Sequence, residues 1–268
     1  MQTQTFSKVR RLTESGVLLA VAFVLSVIKI IEMPFGGSVT LGCMFPIVLL
    51  AYRFGTGWGL LSAAAFSLLQ LLTGLNNLSH ATSWQAAVAI VLLDYIVAFA
   101  VLGLGGVFRK VLRNQNTALL CGVVLCCLLR YVCHVISGCT VWAGVSIPTS
   151  EGLLYSLSYN AAYMVPETLI AAGAAWYLGS VLDFRGNTLK RLSGAARGGW
   201  LDAVGLLAAV AAVVTDAVIL FAALQGEDDF DITRMADANW WLLGGILAAG
   251  AVIFAVCKLV AVRLRKKA

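Results

Sequence analysis

Lysine and arginine gather in every other loop of this chain, and the stretches between loops are long and apolar. The apolar stretches fall near residues 13–32, 39–54, 57–75, 85–107, 116–138, 153–182, 200–224 and 240–262. Each approaches the roughly 20 residues that a helix needs to cross about 30 Å of hydrocarbon. A helix is also the open-ended structure that satisfies its own backbone hydrogen bonds there. With 60% hydrophobic and 12% charged residues, such a chain cannot hide its apolar surface in one soluble core. The expectation is an all-α integral membrane protein with eight transmembrane helices.

Sidedness follows from the cations. Lys8, Arg10 and Arg11 precede the first span, and Arg53 separates the second from the third. Arg109, Lys110 and Arg113 lie between the fourth and fifth, and Arg185, Lys190, Arg191 and Arg197 between the sixth and seventh. Arg263, Arg265, Lys266 and Lys267 close the chain. The intervening loops carry almost none, apart from Lys29 beside a helix end and Arg234 in an acidic segment. The positive-inside rule then puts both termini of a multi-pass membrane protein in the cytoplasm, and an even number of spans satisfies that. The formal net charge of +6 sits in juxtamembrane loops, where it retains orientation and touches anionic headgroups. No stretch is long enough for a nucleic-acid-binding domain, so the expected surface partner is the lipid bilayer. The first span lacks Ala-x-Ala processing chemistry behind it and reads as a retained anchor.

Cys43, Cys121, Cys126, Cys127, Cys133, Cys139 and Cys257 form no C-x-x-C pair and fall mostly inside spans. They read as small buried hydrophobes, with no metal and no cofactor expected. Residues 1–184 carry nearly all the unusual polar and aromatic side chains and form the expected functional module. Residues 198–268 form an additional hairpin of two apolar spans joined by Glu227-Asp228-Asp229-Phe230-Asp231. That loop lacks the spaced calcium-binding frame and reads as a solvated outer loop. Asp202 and Asp216 in the hairpin face a partner helix or, for Asp202 near an end, reach the interface.

An ionisable group inside a span is a functional hypothesis by default. Asp94 lies about nine residues into the fourth span from its outer end, about 13 Å deep at about 1.5 Å per residue. His134 lies about one turn below the outer end of the outward-running fifth span, and Gly138 follows one turn later on the same face. Trp142 is in the outer loop, while Tyr155 and Asn160 occupy the first turns of the sixth span. The loop 76–84 adds Asn76, Asn77, His80 and Trp84. Four segments thus bring these groups to one depth and outline an outward-facing pocket.

Each also has a plainer reading. Trp84, Trp142 and Tyr155 serve equally as interfacial belt aromatics, His134 as an interhelical hydrogen-bonding group and Asn160 as interhelical glue. Arg130, one turn deeper, serves as an internal ion-pair partner for Asp94. Taken as a pocket, the aromatics offer flat faces for stacking and for cation–π attraction. The carboxylate accepts from an amino group and a protonated ring nitrogen, and His134 and Asn160 supply directional hydrogen bonds. Few cations line the outer side, which disfavours phosphates and polycarboxylates. A flat, amino-bearing, neutral or cationic heterocycle fits this chemistry.

Four runs carry a resemblance over roughly residues 10–182: Leu93-Asp94-Tyr95-Ile96-Val97-Ala98-Phe99; Arg130-Tyr131-Val132-Cys133-His134-Val135-Ile136-Ser137-Gly138; Val141-Trp142-Ala143-Gly144; and Tyr155-Ser156-Leu157-Ser158-Tyr159-Asn160-Ala161-Ala162-Tyr163-Met164-Val165-Pro166-Glu167. In them the chain resembles the thiamine-specific substrate-binding (S) components of energy-coupling factor (ECF) vitamin transporters. The resemblance implies a six-helix S-component-like bundle that binds thiamine, or a closely related aminopyrimidine, from outside. It implies Asp94 as the acid that meets the aminopyrimidine, His134 and Asn160 as hydrogen-bonding partners, and Trp142 with Tyr155 as aromatic walls. Gly138 would permit close approach, and Trp84 would belong to the outer loop that covers the ligand.

The resemblance further implies a docking face for a transmembrane coupling (T) subunit, with ATPase subunits behind it. Gly16 and Ala20 form a small-xxx-small pair like the family's Ala-x-x-x-Ala motif, and small residues let helix backbones approach closely. Three features depart from the family pattern. Its acid is a glutamate, so Asp94 is one methylene short; this implies a deeper ligand or a bridging water and leaves a thiamine precursor open. Its first outer loop carries a tryptophan, where this chain reads Met33-Pro34-Phe35-Gly36-Gly37. The terminal hairpin has no counterpart.

The functional expectation is a vitamin-capture subunit and not an enzyme. No G-x-x-x-x-G-K-[ST] loop exists, so separate subunits must hydrolyse ATP. Two rivals stand beside it. An intramembrane enzyme using Asp94 and His134 as acid and base would need a nucleophile or metal set, which the sequence does not supply. A proton-coupled secondary transporter would put the proton on Asp94, but the internal repeats common in such folds are not seen.

Overall fold

The computed structural model describes residues 7–33, 36–144, 147–192, 199–224 and 231–266. Two compact units divide the chain, Met1–Ala172 and Gly173–Ala268. Helix α1, Lys8–Val27, starts at Ser7, whose hydroxyl accepts from the Arg10 backbone N–H at 3.3 Å.

The first apolar stretch is not one helix, because Lys29–Glu32 leaves α1 as strand β1 and pairs antiparallel with β2, Ser38–Thr40. Consecutive isoleucines favour the pleated chain, and the Gly36-Gly37 turn after Met33 lets it reverse. Ile31 and Val39 point inward. The second apolar stretch therefore opens as a strand, and only Met44–Phe54 is helical, as α2. At about 1.5 Å per residue this helix is about 16 Å long, too short to span a membrane alone, and every residue in it is buried. It is the axis of the first unit.

Helix α3, Thr56–Thr73, follows after one residue, Gly55, whose φ of 92° makes the reversal possible without a Cβ clash. Helix α4 runs Trp84–Arg109 and α5 runs Gln115–Trp142. Both are unevenly wound: Val91–Val97 and Gly138–Trp142 are π-helical, and Val101–Arg109 is 3₁₀. Helix α6 is Ser150–Val181, with Pro166 inside it.

Around α2 the packing is backbone-close. An added Cβ on Gly106 would overlap the Ala51 carbonyl of α2, and one on Gly122 would overlap the Gly105 carbonyl. Small residues make this approach possible. At the C-terminal end of α2, Arg53 is fully buried, and its Nε donates to Glu14 Oε2 at 2.9 Å. Glu14 Oε1 accepts from Arg10 Nε at 2.7 Å, and Arg109 donates to the Arg53 carbonyl. The single cation of the second basic loop is thus an internal tie between helices, held by a carboxylate that offsets its burial.

In the second unit, β3, Leu182–Asp183, pairs with β4, Lys190–Arg191. Helices α7, Gly199–Leu224, and α8, Trp240–Lys266, follow as an antiparallel pair. Gly250 lies against Ala212, and Gly205 against Phe254 and Cys257. Asp202 is buried, with Lys258 Nζ 3.4 Å from its Oδ1, and the same ammonium lies 4.2 Å from the Trp176 ring centre. Asp202 therefore faces its partner helix within the unit, paired with a cation of that helix. Asp216 is buried, and neither of its oxygens has a hydrogen-bond partner among the described residues. Of the acidic loop, Asp231 accepts from the Thr233 N–H at 2.9 Å. Glu227, Asp228, Asp229 and Phe230 lie outside the described residues, as do Phe35, Arg197 and Lys267.

Helices α3, α4, α5, α7 and α8 are each long and apolar enough to cross a membrane. The chain is an all-α membrane protein with two short strand pairings as its β-structure among the described residues.

Candidate functional site

A cavity of about 680 Å³ opens among the hairpin, the end of α3 and helices α4, α5 and α6 of the first unit. That volume lies in the ordinary range for small-molecule sites. Asp94, His134, Gly138, Trp142, Tyr155 and Asn160 all line it, as do Asn76 and Asn77 from the loop after α3. Tyr95 fastens that loop: its hydroxyl accepts from Asn77 Nδ2 at 2.9 Å and donates to the Gly74 carbonyl at 3.0 Å.

Asp94 is the most heavily bonded group. Its Oδ1 lies 2.9 Å from His134 Nδ1, and its Oδ2 accepts from Ser137 Oγ at 2.7 Å and from Trp142 Nε1 at 3.0 Å. Asp94 and Trp142 both stand on π-helical segments, the widened turns that recur at functional sites. Arg130 does not pair with Asp94 directly. Its Nε donates to His134 Nε2 at 3.2 Å, and its guanidinium lies 4.1 Å from the centre of the Phe99 ring. An arginine nitrogen can only donate, so Nε2 must be the accepting nitrogen of the imidazole. The hydrogen-bond network therefore assigns a neutral His134 that carries its proton on Nδ1 and donates it to Asp94.

One wall is aromatic. Tyr155 and Tyr159 are parallel, their ring centres 6.1 Å apart, and Tyr163 meets both Tyr159 and His134 edge-on at 6.0 Å. The Tyr159 hydroxyl accepts from the Gly37 N–H at 3.3 Å, which ties the hairpin to α6. Asn160 lines the cavity, but its amide is engaged by protein. Nδ2 donates to the Ser156 carbonyl at 2.8 Å and the His134 carbonyl at 3.3 Å, and Oδ1 accepts from Tyr163 Oη at 2.6 Å. In this state Asn160 is interhelical glue that also positions Tyr163. Gly138 admits α6 itself, since an added Cβ would overlap Ser156 Oγ.

Trp84 stands apart from this group. It begins α4, is 73% exposed and is absent from the cavity lining; the ring beside Trp142 is His80, at 6.1 Å. Trp84→Ala is therefore expected to change ligand affinity by no more than about 0.5 kcal/mol, roughly twofold, as for surface sites generally. An equilibrium titration checks this. Gly16 and Ala20 lie on an exposed face of α1 with Val17 and Val24, and an added Cβ on Gly16 meets nothing within 4 Å.

Glu167 and Ser137 line or complete the site without having been expected from sequence. Ser137 leaves no sequence signal, being one small residue in an apolar span. Glu167 does leave one, as an acid in the middle of a span, the same criterion that singles out Asp94. It is 2% exposed, and its Oε1 accepts from the Thr40 N–H at 2.6 Å. With it, the lining holds three carboxylates, Glu32, Asp94 and Glu167, against two cations, Lys29 and Arg130. Lys29 and Glu32 pair with each other at 2.5 Å. One carboxylate is in excess.

Residues 12–183 match the sequence profile of a family described as thiamine transporter protein. A similar protein is the thiamine transporter ThiT of Bacillus subtilis (strain 168), 35% identical over 173 residues, which cover 60% of this chain and 86% of that relative.

Proposed function

The chain belongs to the thiamine transporter protein family, a family of transporters and not enzymes, and from that premise we propose that it captures thiamine for an ATP-driven ECF importer. The observation that carries the reading is the cavity's one carboxylate in excess beside a wall of flat rings. Thiamine is a monocation with two aromatic rings, one bearing an amino group. Its charge balances the lining, its rings suit Tyr155 and Trp142, and its amino group suits the lone pair left on Asp94 Oδ1. Trp142 and Ser137 hold the shorter acid in place through its Oδ2.

In this reading residues 1–184 form the substrate-binding module of an eight-helix, multi-pass protein of the bacterial cell membrane, with both termini in the cytoplasm. The exposed Gly16 and Ala20 face docks the transmembrane coupling subunit, and separate ATPase subunits drive release inward. The hairpin of residues 198–268 is an addition to that module. Titration of purified protein with thiamine, followed by tryptophan fluorescence, tests it. The expected result is a saturable one-to-one response, with Trp142 bonded to the central acid as the reporter. A flat titration at millimolar thiamine would remove the assignment.

A further inference from the structure

Charge is distributed unevenly in the first unit. Its acids are Glu14, Glu32, Asp94, Glu151 and Glu167, and Glu32, Asp94 and Glu167 line the cavity. Glu14 is the single acid where α1 begins, α2 ends and α4 ends, and those ends carry Lys8, Arg10, Arg11, Arg53 and Arg109, with Lys110 and Arg113 just beyond. The bonds from Arg10 and Arg53 to Glu14, and from Arg109 to the Arg53 carbonyl, join the three ends into one cluster. Both oxygens of Glu14 are taken, Oε1 by Arg10 and Oε2 by Arg53. Arg53 has a side chain only 1% exposed, and a charge that deep needs the carboxylate for itself.

Arg10 is placed differently. Its side chain is 35% exposed and meets Glu14 through Nε alone, so both of its Nη nitrogens keep their N–H groups for something outside the protein. Arg11 beside it is half-buried and has no ion-pair partner among the described residues. A guanidinium held by one edge presents the other as a fixed fork, the geometry that matches phosphate oxygens. The helix beyond the fork is apolar and open. Val17, Val21 and Val24 follow on the same line of α1, each at least 42% exposed. The first of them is about 10 Å from Arg10 along the axis, at about 1.5 Å per residue. A charged fork followed by an apolar track has the shape of an amphiphile; a soluble anion matches only its first part.

We propose that this line of α1 binds an anionic phospholipid, with its phosphodiester on the free edge of Arg10 beside Arg11 and an acyl chain along Val17, Val21 and Val24. Basic pockets at helix ends take such headgroups. Diffuse attraction to a basic surface would treat the cations at this end alike, whereas this site singles out the two arginines left open beside a saturated acid. Neither arginine lines the cavity, so the proposal does not depend on which molecule the cavity takes.

The test uses the full chain purified in a neutral detergent and follows lipid binding by native mass spectrometry. Phosphatidylglycerol is compared with phosphatidylcholine of the same acyl chains, and inorganic phosphate is added as competitor. Wild type is expected to bind phosphatidylglycerol at least about tenfold more tightly than phosphatidylcholine. Arg10→Gln and Arg11→Gln are each expected to weaken it about fivefold, equivalent to about 1 kcal/mol per cation. Lys110→Gln and Arg113→Gln, at exposed cations of the same end, are expected to change it by less than about twofold. Arg10→Gln leaves the Glu14–Arg53 pair in place, and an unchanged thermal midpoint without lipid checks that the fold persists. Equal binding of the two lipids overturns the proposal, as does unchanged affinity in both Arg10→Gln and Arg11→Gln. Equal losses in all four variants overturn it too, by showing a diffuse basic surface. Displacement of the lipid by millimolar inorganic phosphate would make this a free-phosphate site and remove the lipid assignment.

Discussion

Asp94→Asn is expected to weaken thiamine binding by about 30- to 1,000-fold, about 2–4 kcal/mol, with little change in side-chain volume. The size of the effect comes from the donors that converge on this carboxylate. His134 Nδ1, Ser137 Oγ and Trp142 Nε1 all lie within 3.0 Å of it. An asparagine offers one accepting oxygen. If that oxygen replaces Oδ2 to serve Ser137 and Trp142, the new NH₂ group confronts the proton on His134 Nδ1. The imidazole cannot escape by moving its proton to the other nitrogen, because Arg130 Nε donates there. If the amide turns over, Ser137 and Trp142 lose their acceptor instead. Either way a buried donor is orphaned, at a cost of about 1–3 kcal/mol, and the ligand loses the charged acceptor for its amino group. Part of this cost falls on the unliganded protein, so the thermal midpoint should fall alongside affinity. Titration and thermal scanning of one preparation separate the two contributions, and an unchanged dissociation constant would take Asp94 out of recognition.

Gly106→Ala is expected to destabilise the first unit by about 3 kcal/mol, the upper end of the range for overpacked cores. A single added carbon collides there with the backbone carbonyl of Ala51. That carbonyl belongs to α2, which is buried along its whole length. Backbone hemmed in on every side cannot yield as the tip of a flexible side chain would. A methyl group at Gly16, where nothing lies within 4 Å, is the matched control and should hold or slightly raise the thermal midpoint in detergent, because alanine is the better helix former by about 0.5–1 kcal/mol. Equal midpoints for both variants would mean that the α2–α4 contact is looser than the packing implies.

The parts of the fold that were readable in sequence are those the bilayer dictates. The apolar stretches at 57–75, 85–107, 116–138, 200–224 and 240–262 lie within a few residues of α3, α4, α5, α7 and α8, because length and apolarity suffice to define them. Residues 29–43 were opaque for the converse reason. A run such as Ile30-Ile31 followed by Val39 is apolar in a strand and in a helix alike, and only Pro34, Gly36 and Gly37 hint at the reversal. Depth counting along helices brought Asp94, His134, Gly138, Trp142, Tyr155 and Asn160 to one level, and all six border the cavity. Depth says nothing of rotation about the helix axis, and rotation is what turns Trp84 outward. Nor does a shared level reveal a long cavity, which is why Glu167, two turns further along α6, escaped the grouping.

Two helices meet at the centre of this site with their winding loosened, α4 at Val91–Val97 and α5 at Gly138–Trp142. Each loosened stretch accommodates residues that an even spiral would have to place elsewhere, so the alignment of acid and indole is held by phase as well as by side-chain identity. A deletion of one residue upstream of Asp94 in that stretch would preserve every chemical group and still turn the carboxylate by about 100°, breaking its contacts with α5. Residue number between fixed helix ends is thus itself part of what the site encodes.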